Sequence, residues 1–257
     1  MRIFRALSPL FLFLFLSLAY AQPARNGDNT ALIIIDMQQY FIDRGETQNT
    51  PENIRKVNEL VQEQLGLIAN AKALNQPIVF MEYEGYGPTN PLLTAAVNGY
   101  AHTRTFPKTT DGMFESWNTH VGQLTGYLQE KKIGNLVIAG ANGGACVEQS
   151  ISGALENDYN VMAMSRDIAD FNYDEFIYPY DNQYTFPARC PAPNTCRFTE
   201  VDDLPALAIE LARPRGPASV AEDNSERVKV PAARAPANQN QNSANKNRNR
   251  DTGATAR

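Results

Sequence analysis

Three residues of this chain have types and settings that could work together as a catalytic group. Cys146 lies in "VIAGANGGACVEQS", Val137 to Ser150, where an apolar run breaks into Ala-Asn-Gly-Gly before a helix-like segment. Asp36 follows the apolar run Ala31 to Ile35 and is itself followed by Met37, Gln38 and Gln39. Lys108 lies in "RTFPKTTDGMFESW", which reads as a loop, preceded by Pro107 and far from any basic run. A thiol becomes a nucleophile when a neighbouring base takes its proton, or when a helix N-terminus and a cation lower its pKa. Asp36 is the candidate base and Lys108 the candidate cation. Each residue also has a plainer reading, Cys146 as a small buried hydrophobe and Lys108 as a solvated surface charge. A third reading of the glycines, a phosphate cradle, fails on spacing, because "GANGG" has neither the G-x-x-x-x-G-K-[ST] order nor the G-x-G-x-x-G spacing.

Alternating elements must position these residues. Ala31 to Ile35 is short, fully apolar and rich in β-branched residues, which predicts a strand buried on both faces. Pro51 to Leu74 predicts a helix, with Pro51 and Glu52 in its first turn and Ile54, Val57, Val61, Leu65, Ile68 and Ala69 along one face. Pro77 to Phe80 reads as a strand, Glu82 to Thr110 as a polar, glycine-containing stretch, and Val121 to Glu130 as a helix. Leu136 to Ala139 reads as a strand, Cys146 to Glu156 as a helix and Asn160 to Ser165 as a strand. Short apolar strands alternating with helices predict an α/β fold, a three-layer α/β/α sandwich around a mainly parallel sheet. Ligands bind at the carboxyl ends of such strands, and Asp36 and Cys146 both follow strand ends on that edge.

The 257 residues suit one domain with appendages. Residues 1–21 read as a cleaved signal peptide. Arg2 and Arg5 supply its charge, Leu10 to Leu18 its apolar stretch, and Ala19-Tyr20-Ala21 its cleavage site. The apolar run is shorter than the ~20 residues a membrane span needs. Export to a periplasm or to the medium follows, with residues 22–29 as a linker, 30–212 as the domain and 213–257 as a disordered tail. That tail is rich in Asn, Gln and Arg and has little to bury. It carries 9 Lys and Arg against 4 Asp and Glu, a balance of +5, which leaves −10 on the remainder of a chain whose net charge is −5. A solvated tail without a specific nucleic-acid partner accounts for this charge. Of the three cysteines, Cys190 and Cys196 in "CPAPNTC" are expected to pair after export, which leaves Cys146 as the free thiol.

The segments "ALIIIDMQQYF", "KTTDGMF", "NLVIAGANGGACVEQSISGAL" and "YNVMAMSRDIAD", in this order and spacing, resemble the Asp, Lys and Cys blocks of the isochorismatase-like cysteine hydrolases. This superfamily includes nicotinamidases and N-carbamoylsarcosine amidohydrolase. "FTEVDDLPALAIELA" resembles the family's last strand and helix. The resemblance implies Asp36 as acid/base, Lys108 as its supporting cation and Cys146 as nucleophile. It further implies an oxyanion hole built from the backbone N–H groups of Asn142 and Cys146, with a cis peptide at Ala141–Asn142. Gln38, Phe41 and Phe114 are the candidate pocket residues. The implied reaction is hydrolysis of a C–N bond in a small amide, carbamoyl or imide substrate through a thioester, by an enzyme that forms homo-oligomers.

The chain departs from the family pattern in two places. Gly143 and Gly144 stand where a threonine and an acidic or amide residue are common, which predicts a more open turn. Only two histidines occur, His102 and His120, well apart. No metal site and no cofactor are therefore expected. The aromatic stretch Phe171 to Phe186 reads as a pocket wall, a subunit interface or plain packing. The alternative to an amidase is a family member with altered chemistry that acts as a binding protein.

Overall fold

The computed structural model describes residues 29–47, 50–171, 176–180 and 198–212, all within the first of two compact units, Met1–Ser219. The signal-like segment, the Cys190–Cys196 pair and the tail lie outside the described residues.

The centre of the fold is a six-stranded, all-parallel sheet. Its strands are β1 (Asn29–Ile35), β2 (Ile78–Tyr83), β3 (Thr103–Lys108), β4 (Ile133–Gly140), β5 (Asn160–Ile168) and a later strand, β8 (Phe198–Glu200). They are arranged in the order β3-β2-β1-β4-β5-β8. A two-stranded antiparallel ribbon, β6 (Asp170–Phe171) with β7 (Phe176–Ile177), follows β5. The helices are α1 (Gln39–Thr47), α2 (Pro51–Ala73), α3 (Pro91–Ala96), α4 (Val121–Glu130), α5 (Glu148–Glu156) and α6 (Leu204–Ala212).

The unbroken apolar run of β1 reflects two cores. Successive strand side chains point to opposite faces. Leu32 and Ile34 pack with Val57, Leu60, Val61 and Ile68 of α2, with Leu93 of α3 and with Leu207 of α6. Ala31, Ile33 and Ile35 pack on the other side with Leu124 and Leu128 of α4 and Ile151 and Leu155 of α5. Three layers result, as the sequence pattern predicts. The start of α2 shows why its helix begins where it does. Thr50 caps it, its hydroxyl accepting from the Asn53 N–H at 3.2 Å, and Pro51 takes the first turn, where its missing N–H costs nothing.

Three expectations need correction. The stretch Glu82 to Thr110 is not featureless, for it contains α3 and β3. As an edge strand β3 keeps Arg104 and Thr105 in solvent and accommodates Pro107, so it lacks an apolar signature. Lys108 is consequently the last residue of a strand rather than part of a loop. The segment that carries Cys146 does not start as an α-helix. Val147 N–H bonds Asn142 O at 3.0 Å and closes a single π turn, Gly143–Val147, before α5. Asp36 is followed almost at once by α1, which the sequence pattern does not reveal. No helix among the described residues is long and apolar enough to cross a membrane.

Candidate active site

The neighbouring strands β1 and β4 interlock at their carboxyl ends, and this sets the positions of two of the three candidate residues. Asp36 turns out of β1 in a left-handed conformation, φ 50°, that Asp tolerates better than most residues. Its N–H bonds Met81 O at 2.9 Å, while Ala141 N–H bonds Ile35 O at 2.9 Å. Gly140 lies against this crossing with φ 130°, and any Cβ there would sit 2.6 Å from Ile35 N, so only glycine fits. The Ala141–Asn142 peptide is cis, in agreement with the expectation drawn from the family resemblance. Asn142 then opens the π turn, and its side-chain oxygen accepts from Phe171 N–H at 3.0 Å. Gly143 N–H bonds Ala169 O at 2.9 Å and Gly144 N–H bonds an Asp170 carboxylate oxygen at 2.8 Å. The turn holding Asn142 and Cys146 is therefore fastened at three points to the chain after β5.

The glycine pair does not leave the turn open. A Cβ on Gly143 would meet Tyr180 Cε1 at 2.5 Å, and one on Gly144 would meet the Tyr180 hydroxyl at 2.9 Å. The phenol ring occupies the volume that side chains would otherwise take. Tyr180 is itself held by its N–H, which lies 3.1 Å from Ser165 O and 3.0 Å from Ile168 O.

Asp36, Lys108 and Cys146 meet in a buried site. Asp36 and Lys108 side chains are wholly buried, with Lys108 Nζ 2.9 Å from Asp36 Oδ2. The contact is a buried ion pair. Lys108 also donates to Thr110 O at 3.0 Å and Asp111 O at 3.1 Å, and its ammonium sits 4.1 Å from the centre of the Tyr83 ring. Three N–H donors thus have three oxygen neighbours, with an aromatic face as a further contact. Burial pushes the Asp36 carboxyl up to about 6, against the opposing pull of the Lys108 charge and the Cys146 thiol. Burial, and then the negative charge of Asp36, also push the Cys146 thiol well above its ordinary range. Near neutral pH the resting pair is therefore a carboxylate beside a protonated thiol. The sequence-level picture of a helix terminus that lowers the thiol pKa gives way to one in which burial and a neighbouring carboxylate keep the thiol protonated.

The sequence reasoning missed Asp111, although it stands in the quoted "KTTDGMF". Its Oδ1 accepts from Cys146 Sγ at 3.7 Å. No spacing rule singles it out, because its role comes from the turn after β3.

The candidate pocket residues have structural neighbours of their own. Gln38 is buried and its amide is committed to backbone, donating to Tyr83 O and Gly87 O and accepting from Tyr83 N–H at 2.7 Å. It fixes the segment that presents Tyr83 to Lys108. Phe41 stacks on Tyr86 at 5.0 Å, and Tyr86 in turn meets Tyr83 edge-on at 5.4 Å. Phe114 stacks on Tyr159 at 5.4 Å, behind α5, where a Cβ on Gly153 would meet it at 2.9 Å. His120 pairs with Glu84 at 2.7 Å and His102 packs edge-on to Tyr100. Among the described residues no group of three or more His, Cys, Asp or Glu could hold a metal ion. Of the aromatic stretch, Phe171, Phe176 and Tyr178 stack in one cluster inside the core.

A family model described as the isochorismatase domain matches residues 30–175, more than half of the chain. No curated protein sequence matches. Similar solved structures include a MAR1 ribonuclease from Caenorhabditis elegans, 24% identical over 59% of this chain and 70% of that one, with a TM-score of 0.45. A nicotinamidase from Staphylococcus aureus is 18% identical over 57% of this chain and 88% of its own, with a TM-score of 0.47. An N-carbamoylsarcosine amidase from Thermoplasma acidophilum is 14% identical over 55% and 83%, with a TM-score of 0.43. At these identities and scores the likenesses add nothing to the domain match.

Proposed function

The chain belongs to the isochorismatase family, and on that footing we propose that it is a cysteine hydrolase that cleaves a C–N bond in a small amide, carbamoyl or imide substrate. The observation that carries this reading is the buried Lys108–Asp36 pair set beside the protonated Cys146 thiol. Asp36, ionised above about pH 6, takes the thiol proton as Sγ attacks the substrate carbonyl carbon. The carbonyl oxygen gains the negative charge and is held by the N–H groups of Asn142 and Cys146. The C–N bond breaks and Asp36 returns the proton to the departing nitrogen, leaving a thioester on Cys146. Water then attacks the thioester carbon, giving its proton to Asp36, and the acid leaves as Sγ recovers a proton. Lys108 favours the charged form of Asp36 between these proton transfers and holds its carboxylate in place.

Export by the first 21 residues and assembly into a homo-oligomer belong to the same proposal. Support comes from the signal-like composition of that segment and, for assembly, from exposed apolar side chains such as Trp117, 75% exposed. The test is to incubate the full chain with a panel of small amides and look by mass spectrometry for an acyl group on Cys146. Wild type is expected to turn over at least one amide and Cys146→Ser none. Full turnover by Cys146→Ser removes the proposed nucleophile.

A further inference from the structure

Around the reacting sulfur the charges do not balance. Asp36 and Asp111 supply two carboxylates, and Lys108 is the cation that acts on the thiol beside them. The protons of that cation are directed to Asp36 Oδ2, Thr110 O and Asp111 O. Lys108 therefore has no donor left for an incoming anion. The Asp36 carboxylate is fully buried, and the Asp111 carboxylate, partly buried, has Cys146 Sγ as its neighbour at 3.7 Å. The main chain of Asp111 is pinned by its own bond to Lys108, so this carboxylate is tied to the same cation that orients the base. Counted at formal charge, two carboxylates against one ammonium leave one net negative charge and present acceptor oxygens.

We propose that Asp111 is a specificity-determining residue that gives this site its charge preference, admitting C–N substrates that bring a cationic or N–H-rich group to the sulfur and turning away anionic ones. An ammonium, amidine, guanidine or unsubstituted carbamoyl group has donors for the carboxylate oxygens that stand beside the sulfur. A carboxylate in the same place meets like charge beside buried groups, and the Lys108 protons are already directed elsewhere. The proposal rests on the reading of Cys146 as the nucleophile.

The experiment follows alkylation of Cys146, read on its own peptide by mass spectrometry, with three probes that differ in charge: iodoacetate, iodoacetamide and 2-bromoethylamine. Each rate is divided by the rate of the same probe with a small free thiol. Wild type is expected to react in the relative order bromoethylamine, iodoacetamide, iodoacetate. In Asp111→Asn the ratio of the cationic to the anionic probe is expected to fall by about tenfold or more, the size that one half-screened charge several ångströms away supplies. Asp111→Glu, which keeps the charge, is expected to keep the order. In wild type itself, raising salt from roughly 0.02 to 0.5 M is expected to compress the ratio, a readout that survives if Asp111→Asn does not fold. A single common factor for all three probes, or a ratio indifferent to salt, overturns the proposal, because Asp111 would then act on the sulfur and not on the ligand. An amide panel matched in charge separates the two readings. Charge selection without turnover sinks the hydrolase and leaves this inference, whereas turnover without charge selection does the reverse.

Discussion

Replacing Gly143 by alanine adds one methyl group, and the structure says where that group must go. Its carbon would lie 2.5 Å from Tyr180 Cε1, well inside van der Waals contact. The backbone at Gly143 needs no positive φ, so alanine is not penalised there by its conformation, and the whole effect falls on the ring. Tyr180 cannot retreat freely, because its N–H is bonded to both Ser165 O and Ile168 O. An added methyl in a packed site that cannot relax destabilises by about 1–3 kcal/mol. For a domain of this size that corresponds to a melting temperature lower by roughly 2–4 °C per kcal/mol. The decisive form of the test is a double-mutant cycle with Tyr180→Ala, read by denaturant unfolding of all four proteins. Tyr180→Ala alone loses the ring's packing, but in its presence Gly143→Ala has empty space to enter. The coupling should therefore be favourable by about 1–3 kcal/mol. Simple additivity of the two substitutions would refute the argument that the glycine pair exists to admit this ring.

The remaining predictions concern protons. Burial pushes Asp36 up to about 6, so kcat/KM is expected to rise with pH through about 6 as the base ionises, and Lys108→Met, which removes the largest influence holding that value down, should move this limb upward; a limb that stays put contradicts the assigned role of Lys108. Asp167 is buried with both carboxylate oxygens unpartnered, and burial, then the charge of Glu63, raise it from 3.8 to about 7 against the pull of Arg166. The native state thus holds this proton more tightly than the unfolded chain, so stability should fall as pH rises from about 4 to 7 and level off above. Melting curves of Asp167→Asn should lack that part of the fall, and an unchanged slope would show that Asp167 is not its source.

The legibility of the sequence depended on burial on both faces. Ala31 to Ile35 could be read as a strand because each face of β1 meets its own core. The residues Thr103 to Lys108 could not, because β3 lies at the sheet edge and only its last residue is buried. Asp36, Lys108 and Cys146 stood out as types that could cooperate, and the fold does bring the Asp36–Lys108 pair and the thiol together. What the sequence left unread were contacts with no local period. Asp111 reaches Cys146 through the turn after β3. Tyr180 explains Gly143 and Gly144 from beyond β5. Neither relation leaves a mark on spacing or composition.

The pairing of β1 with β4 also governs when the chemistry can exist. Parallel strands need a long crossover, and the bond from the Asn29 side chain to Lys131 O already spans 102 residues of chain. Contacts of such separation form late and slowly. Before they form, Cys146 is an ordinary exposed thiol with no base beside it. Once they form, it is 3% exposed beside a buried carboxylate and reacts at a different rate. The accessibility of one sulfur therefore counts assembled sheets, so a brief pulse of alkylating reagent during refolding times the closure of the two halves of the sheet without any added label.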